Sequence, residues 1–315
     1  MMRTTVVKST DRLSRLVKLT LLAVLGLFTV FALYYYWDRY AHPGDQAPLE
    51  REVADLQSIV RQNPNDPEPR LALAEYYLSG KNYQDAIEQA QQVLSAVPDS
   101  DRALFVLGVA STQAGHFEAG VRFLEHFMEL RKKSGAAAGD LVTQAGLYYL
   151  GVSYTNLGRL GDAIRVLNEA LAINPTDADS LYQLGLAHLR SSQPEEALEY
   201  FAKAVELVPN FSEAYQAMAD SFTALSKPAY AQLAQGMLAY SLQDYHKASR
   251  LLTEAAQQLP EEPQVYLGLG LTLEKLGDIN AAGVNYLRVL ELDPNNFLAN
   301  HSLGRIKEMI AAANQ

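Results

Sequence analysis

Histidines and carboxylates are the residue types here that could do chemistry, and their spacing does not assemble a site. The six histidines, His42, His116, His126, His188, His246 and His301, are scattered. His126 and Glu129 stand at i, i+3, where one helix face could offer both to a metal. No second pair accompanies them, so they read as an ordinary helix-surface pair. There is no G-x-x-x-x-G-K-[ST] phosphate loop and no H-E-x-x-H zinc motif. The G-x-G within "GLGLTLEKLG" lies inside a helical pattern with no strand before it, so it is no dinucleotide fingerprint. The chain has no cysteine, which removes disulfides, thiolate metal sites and a Cys nucleophile. No catalytic residue, metal site or cofactor is expected, and the chain reads as a non-enzyme.

Charge narrows the partners. Residues 1–39 hold six basic and two acidic residues, so the remainder carries 20 basic against 34 acidic. That surface repels phosphate backbones and argues against nucleic acid.

Residues 19–37, "LTLLAVLGLFTVFALYYYW", contain no charge and no proline. As a helix they rise ~28 Å, close to the hydrocarbon thickness of a bilayer. Tyr34, Tyr35, Tyr36 and Trp37 then fall at its exit, where flat rings with polar tips favour the membrane interface. The following "WDRYAHPGD" is bulky and polar and has no A-x-A cleavage pattern, which favours a retained anchor. Arg3, Lys8, Arg12, Arg15 and Lys18 precede the span. The positive side stays cytoplasmic, so residues 1–18 are expected inside and the rest of the chain outside.

The remainder is periodic. Prolines at 64, 98, 175, 209, 260 and 294 close apolar helical runs at intervals of 34, 77, 34, 51 and 34. A repeat near this length signals stacked helical hairpins, none able to bury its apolar face alone. Three segments align on it: "LYYLGVSYTNLGRLGDAIRVLNEALAINP", "LYQLGLAHLRSSQPEEALEYFAKAVELVP" and "YLGLGLTLEKLGDINAAGVNYLRVLELDP". They share Leu150-Gly151, Leu184-Gly185 and Leu269-Gly270 in the first helix (A). In the second (B) they share Ala163, Ala197 and Ala282, then the closing proline. Glycine lets helix A approach helix B closely, and the small alanine does the same from the other side.

This pattern resembles the tetratricopeptide repeat family, with Leu or Tyr where the family often has Trp. The resemblance implies an all-α, right-handed superhelical solenoid behind one transmembrane helix. A linker at 38–47 would lead to an N-terminal array at 48–211, a half repeat at 212–228 and a C-terminal array with capping helix at 229–313. Full units fall at 67–100, 101–134, 144–177, 178–211, 229–262 and 263–296. "KKSGAAAGD" (132–140) lengthens one turn, and Ser212 and Ser226 are expected helix caps. The half repeat is a single helix and is expected to bend the stack.

The resemblance also implies that helix A lines a concave surface through repeat positions 5 and 9. Position 5 gives Leu71, Phe105, Tyr148, Tyr182, Leu233 and Leu267. Position 9 gives Glu75, Val109, Val152, Leu186, Met237 and Leu271, with the half repeat supplying Gln216 and Asp220 instead. These residues would form an apolar protein-binding groove for a partner's apolar side chains. Phe105, Tyr148 and Tyr182 are its expected anchors, facing solvent in the free chain. The functional expectation is a membrane-tethered scaffold at the outer face of a bacterial inner membrane, serving the assembly of envelope or membrane complexes. The alternative is a permanent accessory subunit of a large membrane complex.

Overall fold

The structure is a computed structural model that describes Val24 and residues 28–31, 48–135 and 140–313. Val24 and residues 28–31 are helical, and among the described residues no helix is long and apolar enough to cross a membrane. The rest of the expected span, with Tyr34, Tyr35, Tyr36 and Trp37, lies outside the described residues, as do residues 136–139.

Fifteen helices follow one another from residue 48 onward: α1 Pro48–Gln62, α2 Pro67–Ser79, α3 Tyr83–Ala96, α4 Asp101–Gln113, α5 Phe117–Ser134, α6 Leu141–Asn156, α7 Leu160–Ile173, α8 Ala178–Arg190, α9 Pro194–Leu207, α10 Ser212–Ala224, α11 Pro228–Ser241, α12 Tyr245–Gln258, α13 Pro263–Lys275, α14 Ile279–Leu292 and α15 Phe297–Ala313. The described residues contain no strand. The chain divides into two compact units, residues 1–69 and 70–315. The first contains α1, whose C-terminal turn is closed by Asn63 N–H on the Ile59 carbonyl. The second is a solenoid of helical hairpins, so the all-α architecture expected from the repeat is present.

Five of the hairpins are built the same way. The glycine of helix A sits against the bulky residue four positions beyond a small residue of helix B, which is alanine except for Gly120; in α2–α3 the corresponding positions are Ala74 and Ala90. A Cβ on Gly151 would stand 2.5 Å from Leu167 Cγ, and one on Gly185 would stand 2.5 Å from the Phe201 ring. Ala163, Ala197, Leu184 and Phe201 are fully buried, and Leu150 nearly so. The core is therefore a series of clusters, each shared by two to four successive helices, rather than a single centre.

Helix starts are marked by side chains that accept from first-turn amides: Ser100, Asp140, Asp177, Asp244, Glu262 and Asp278. Two expected caps are corrected. Ser212 is already the first residue of α10, and its hydroxyl donates to Glu213. Lys227, not Ser226, occupies the N-cap of α11, with Pro228 at the first helical position. The long turn at 132–140 is bridged by Arg131, which bonds Asp140 and Thr143 and pairs with Asp101 at 3.6 Å.

The half repeat has an unexpected construction. The turn from helix A to helix B carries a left-handed residue at repeat position 15 in every hairpin: Lys81, Gly115, Gly158, Ser192, Gln243 and Gly277. Ser226 takes that conformation too, φ 56°, so α10 and α11 are joined by an A–B turn. Gln243 then joins α11 to α12 by another. Helix α11 is thus helix B to α10 and helix A to α12, which is why the proline interval there is one and a half repeats. The expectation of a lone helix between two arrays is corrected to a helix shared by two overlapping repeats.

Candidate protein-interaction surface

The groove residues are set by their place on helix A. A helix residue one turn from the buried Leu-Gly pair lies at the edge of the packed stripe rather than opposite it. The structure sorts them accordingly. Leu71, Val109 and Leu233 are buried, at 2%, 4% and 9% exposure, and offer no surface to a ligand; for these three the groove expectation is corrected. Phe105, Tyr148, Val152, Tyr182, Leu186, Met237, Leu267 and Leu271 are half-buried.

The three expected anchors do not stand free in solvent. The Phe105 ring lies 5.4 Å from that of Phe127, which is buried. Tyr148 packs edge-on to Tyr149 at 4.9 Å and rests on the core between α6 and α7. Tyr182 touches Phe201 at 5.8 Å and Phe211 at 5.0 Å. Each ring is therefore partly packed against its neighbours and partly exposed. Position 5 points along the A–B seam of its own repeat, which spacing alone did not resolve.

Carboxylates sit beside these rings. Burial pushes the Tyr148 phenol well above its ordinary range, helped by Asp179, Tyr149 and Asp177. Burial raises that of Tyr182 too, with Glu213 adding to the shift. Asp179 itself is raised by burial and then by its neighbours Asp177 and Glu213. Asp177 is occupied as the cap of α8, where it also accepts from Gln144 at 2.8 Å. Further along, Gln216 donates to Asp220 at 2.9 Å and both are exposed, so the apolar strip does break at α10 as expected. At the other end Arg102 grips Glu75 through two bonds of 3.0 and 2.9 Å.

The remaining polar candidates are structural. His126 faces Asp99 at 3.4 Å and Glu129 pairs with Lys133 at 2.7 Å, so the i, i+3 pair is divided between other partners. His188 stacks on Tyr200 at 5.2 Å. Among the described residues no group of three or more His, Asp or Glu is placed to hold a metal.

A family model for the tetratricopeptide repeat matches residues 53–100, 71–125 and 233–297; two further models for the repeat match 151–192 and 178–211. The chain belongs to the tetratricopeptide repeat family. Its relatives include "Cellulose synthase 1 operon protein C" of Komagataeibacter xylinus, 29% identical over 292 residues, covering 87% of this chain and 21% of that protein. Another is "BBSome complex member BBS4" of Bos taurus, 23% identical and covering 84% of this chain and 46% of that one. The chain thus spans about a fifth of the first relative and under half of the second. Among solved structures, residues 41 to the end of MamA from Desulfovibrio magneticus RS-1 align with a TM-score of 0.50 at 18% identity, covering 56% of this chain and 96% of that one. That likeness shows the fold. A helical-hairpin array of this family is a protein-interaction scaffold.

Proposed function

We propose that this tetratricopeptide repeat protein is a membrane-tethered scaffold that holds partner proteins at the outer face of a bacterial inner membrane, in the assembly of envelope or membrane complexes. The observation that carries the binding part is the strip of rings and aliphatics on successive helices A, from Phe105 through Tyr148 and Val152 to Tyr182 and Leu186. Each half-buried ring keeps exposed surface for a partner's apolar side chain while the core fixes its orientation, so little side-chain entropy is lost on binding. The tether rests on the uncharged stretch 19–37 and the basic residues before it. The acidic balance favours a protein partner over nucleic acid.

Two measurements test this reading. Protease added to right-side-out spheroplasts should digest the array without lysis; an array that survives until lysis puts it on the other side. A photo-crosslinking side chain at position 182 should capture partner protein in intact membranes, whereas one at the exposed Val284 on α14 should not. Equal capture at both positions would remove the strip from the reading.

A further inference from the structure

Helices A of neighbouring repeats touch along α4, α6, α8 and α10. Towards both ends of the array, a helix-A carboxylate is met by an arginine from the next helix A. Arg102 of α4 holds Glu75 of α2, and Arg305 of α15 holds Glu274 of α13 at 2.6 Å. The middle of the array departs from this. Across α6, α8 and α10 the helices A carry Asp179, Glu213 and Asp220, and Arg190 is their one Lys or Arg. Its guanidinium donates to the Thr155 carbonyl at 2.9 Å. Asp179 makes no hydrogen bond or ion pair with a described residue. Glu213 and Asp220 are met only by the neutral Ser212 and Gln216. All three carboxylates are exposed.

These carboxylates stand beside the rings. Asp179 acts on two phenols, adding to burial at Tyr148 and to burial and Tyr83 at Tyr149. Glu213 holds the same place beside Tyr182, where it adds to burial. The hydroxyls of Tyr148, Tyr149 and Tyr182 bond to no described residue. The buried phenols Tyr154, Tyr215 and Tyr286, by contrast, each donate within the chain. A first-turn acid on a helix is ordinary. An acid beside an unbonded phenol on two successive repeats, with the one arginine committed to Thr155, is a matched set of acceptors along an apolar strip.

We infer that the strip from Tyr148 to Tyr182 recognises an extended segment of a partner protein in which two lysine or arginine side chains flank apolar residues. The inference rests on this strip being the binding surface of the proposed scaffold. One cation meets Asp179 and the Tyr148 hydroxyl, and the other meets Glu213 and the Tyr182 hydroxyl. The apolar residues between them lie on Val152 and Leu186. An ammonium donates to carboxylate and phenol oxygens alike, and a ring face attracts it further. Packed helices lie about 8–10 Å apart, and an extended chain covers about 10 Å in three residues. The two basic residues therefore stand at i and i+3.

Fluorescence anisotropy of dye-labelled peptides on the purified full-length chain tests this. The probes are Gly-Lys-Leu-Val-Lys-Gly, its neutral counterpart Gly-Gln-Leu-Val-Gln-Gly, and Gly-Leu-Lys-Lys-Val-Gly, which keeps the charge and loses the spacing. At low salt the first should bind at least about fivefold tighter than either control, and its advantage over the neutral peptide should close as salt rises toward about 0.5 M. Asp179→Asn combined with Glu213→Gln should abolish the advantage with an unchanged melting temperature. Glu199→Gln combined with Glu206→Gln takes the same charge from exposed positions on α9 and should leave the advantage intact. An advantage that survives the Asp179 and Glu213 changes overturns the inference. Equal binding of the first peptide and either control overturns it as well; where the neutral peptide is the equal and Leu186→Lys abolishes both, the strip remains the binding surface. Binding by none of the peptides also overturns it, and crosslinking at position 182 then decides separately whether the strip holds a partner.

Discussion

Ser226 and Gln243 hold the same left-handed backbone, φ 56° and 63°, at the two ends of one helix, Pro228–Ser241. Each is the pivot of a turn from helix A to helix B, and two such turns in succession are what make the helix common to two repeats. Equivalent pivots elsewhere are glycine at 115, 158 and 277, where a positive φ carries no Cβ penalty. Four pivots therefore retain a side chain in a conformation that disfavours one.

Replacing such a pivot should stabilise the array. A left-handed non-glycine residue costs roughly 1–2 kcal/mol, and glycine gives back about 0.4–1 kcal/mol through the unfolded chain. Ser192→Gly and Gln243→Gly should each gain about 0.5–1 kcal/mol in urea unfolding, near additively because the sites share no partner. Both side chains are exposed, so little packing is lost. A fall in the midpoint at either site would show that its side chain stabilises the turn.

Glycine on helix A has the opposite role. Gly151→Ala brings a methyl to 2.5 Å from Leu167 Cγ, and both residues are enclosed. The crowding should cost about 1–3 kcal/mol. Gly304 in α15 has nothing within 4 Å of a Cβ, so Gly304→Ala should instead gain about 0.5–1 kcal/mol from helix propensity. Circular dichroism melts of the two variants should move in opposite directions. A shift of the same sign in both would discredit the close A–B contact.

What the sequence disclosed and what it hid follow from this geometry. Leu150, Leu184, Ala163 and Ala197 were legible as core because their identity and their spacing say the same thing. So was the capping helix, whose Arg305, Lys307 and Glu308 face water. The sharing of α11 was not legible from prolines, since a half-period interval looks the same for an orphan helix and for two overlapped repeats. The signal was at hand in Ser226 and Gln243, each fifteenth in its own register, but neither is glycine. The burial of Leu71, Val109 and Leu233 was hidden for another reason: a stripe edge shifts by a few degrees of helix rotation, and residue spacing does not fix that angle.

Alkali should loosen the array between about pH 10 and 12. The Tyr215 phenol is buried, donates to the Pro209 carbonyl at 3.3 Å, and is pushed up to about 12, first by burial and then by Tyr240. In the unfolded chain it ionises near pH 10. Its contribution is therefore complete below pH 10. It is lost as pH rises to 12, where only the unfolded state releases the proton, by roughly 2–3 kcal/mol. Tyr215→Phe should flatten the fall of melting temperature across that window relative to the unmodified chain. An unchanged slope would place the alkaline sensitivity in other phenols.

The ring strip is best probed by variants that separate folding from binding. Phe105, Tyr148 and Tyr182 each touch another ring, so truncation to alanine should cost about 1–3 kcal/mol of stability, between the values for surface and core residues. Loss of partner in those variants alone would be ambiguous. Val152 and Leu186 are half-buried on α6 and α8 in the same strip, and a lysine there can lead its ammonium out to water along an apolar stem. Val152→Lys and Leu186→Lys should therefore fold with melting temperatures closer to the unmodified chain than the ring truncations. They should still reduce crosslinked partner at least tenfold, because the partner's apolar side chain would have to desolvate a charge. The alanine variants should lose partner as well, since an anchoring ring is often worth about 2 kcal/mol or more in an interface. Recovery of partner at the unmodified level with both lysines in place would move the interaction away from helix A, leaving exposed apolar positions such as Val284, Leu287 and Phe297 as the next surface to test.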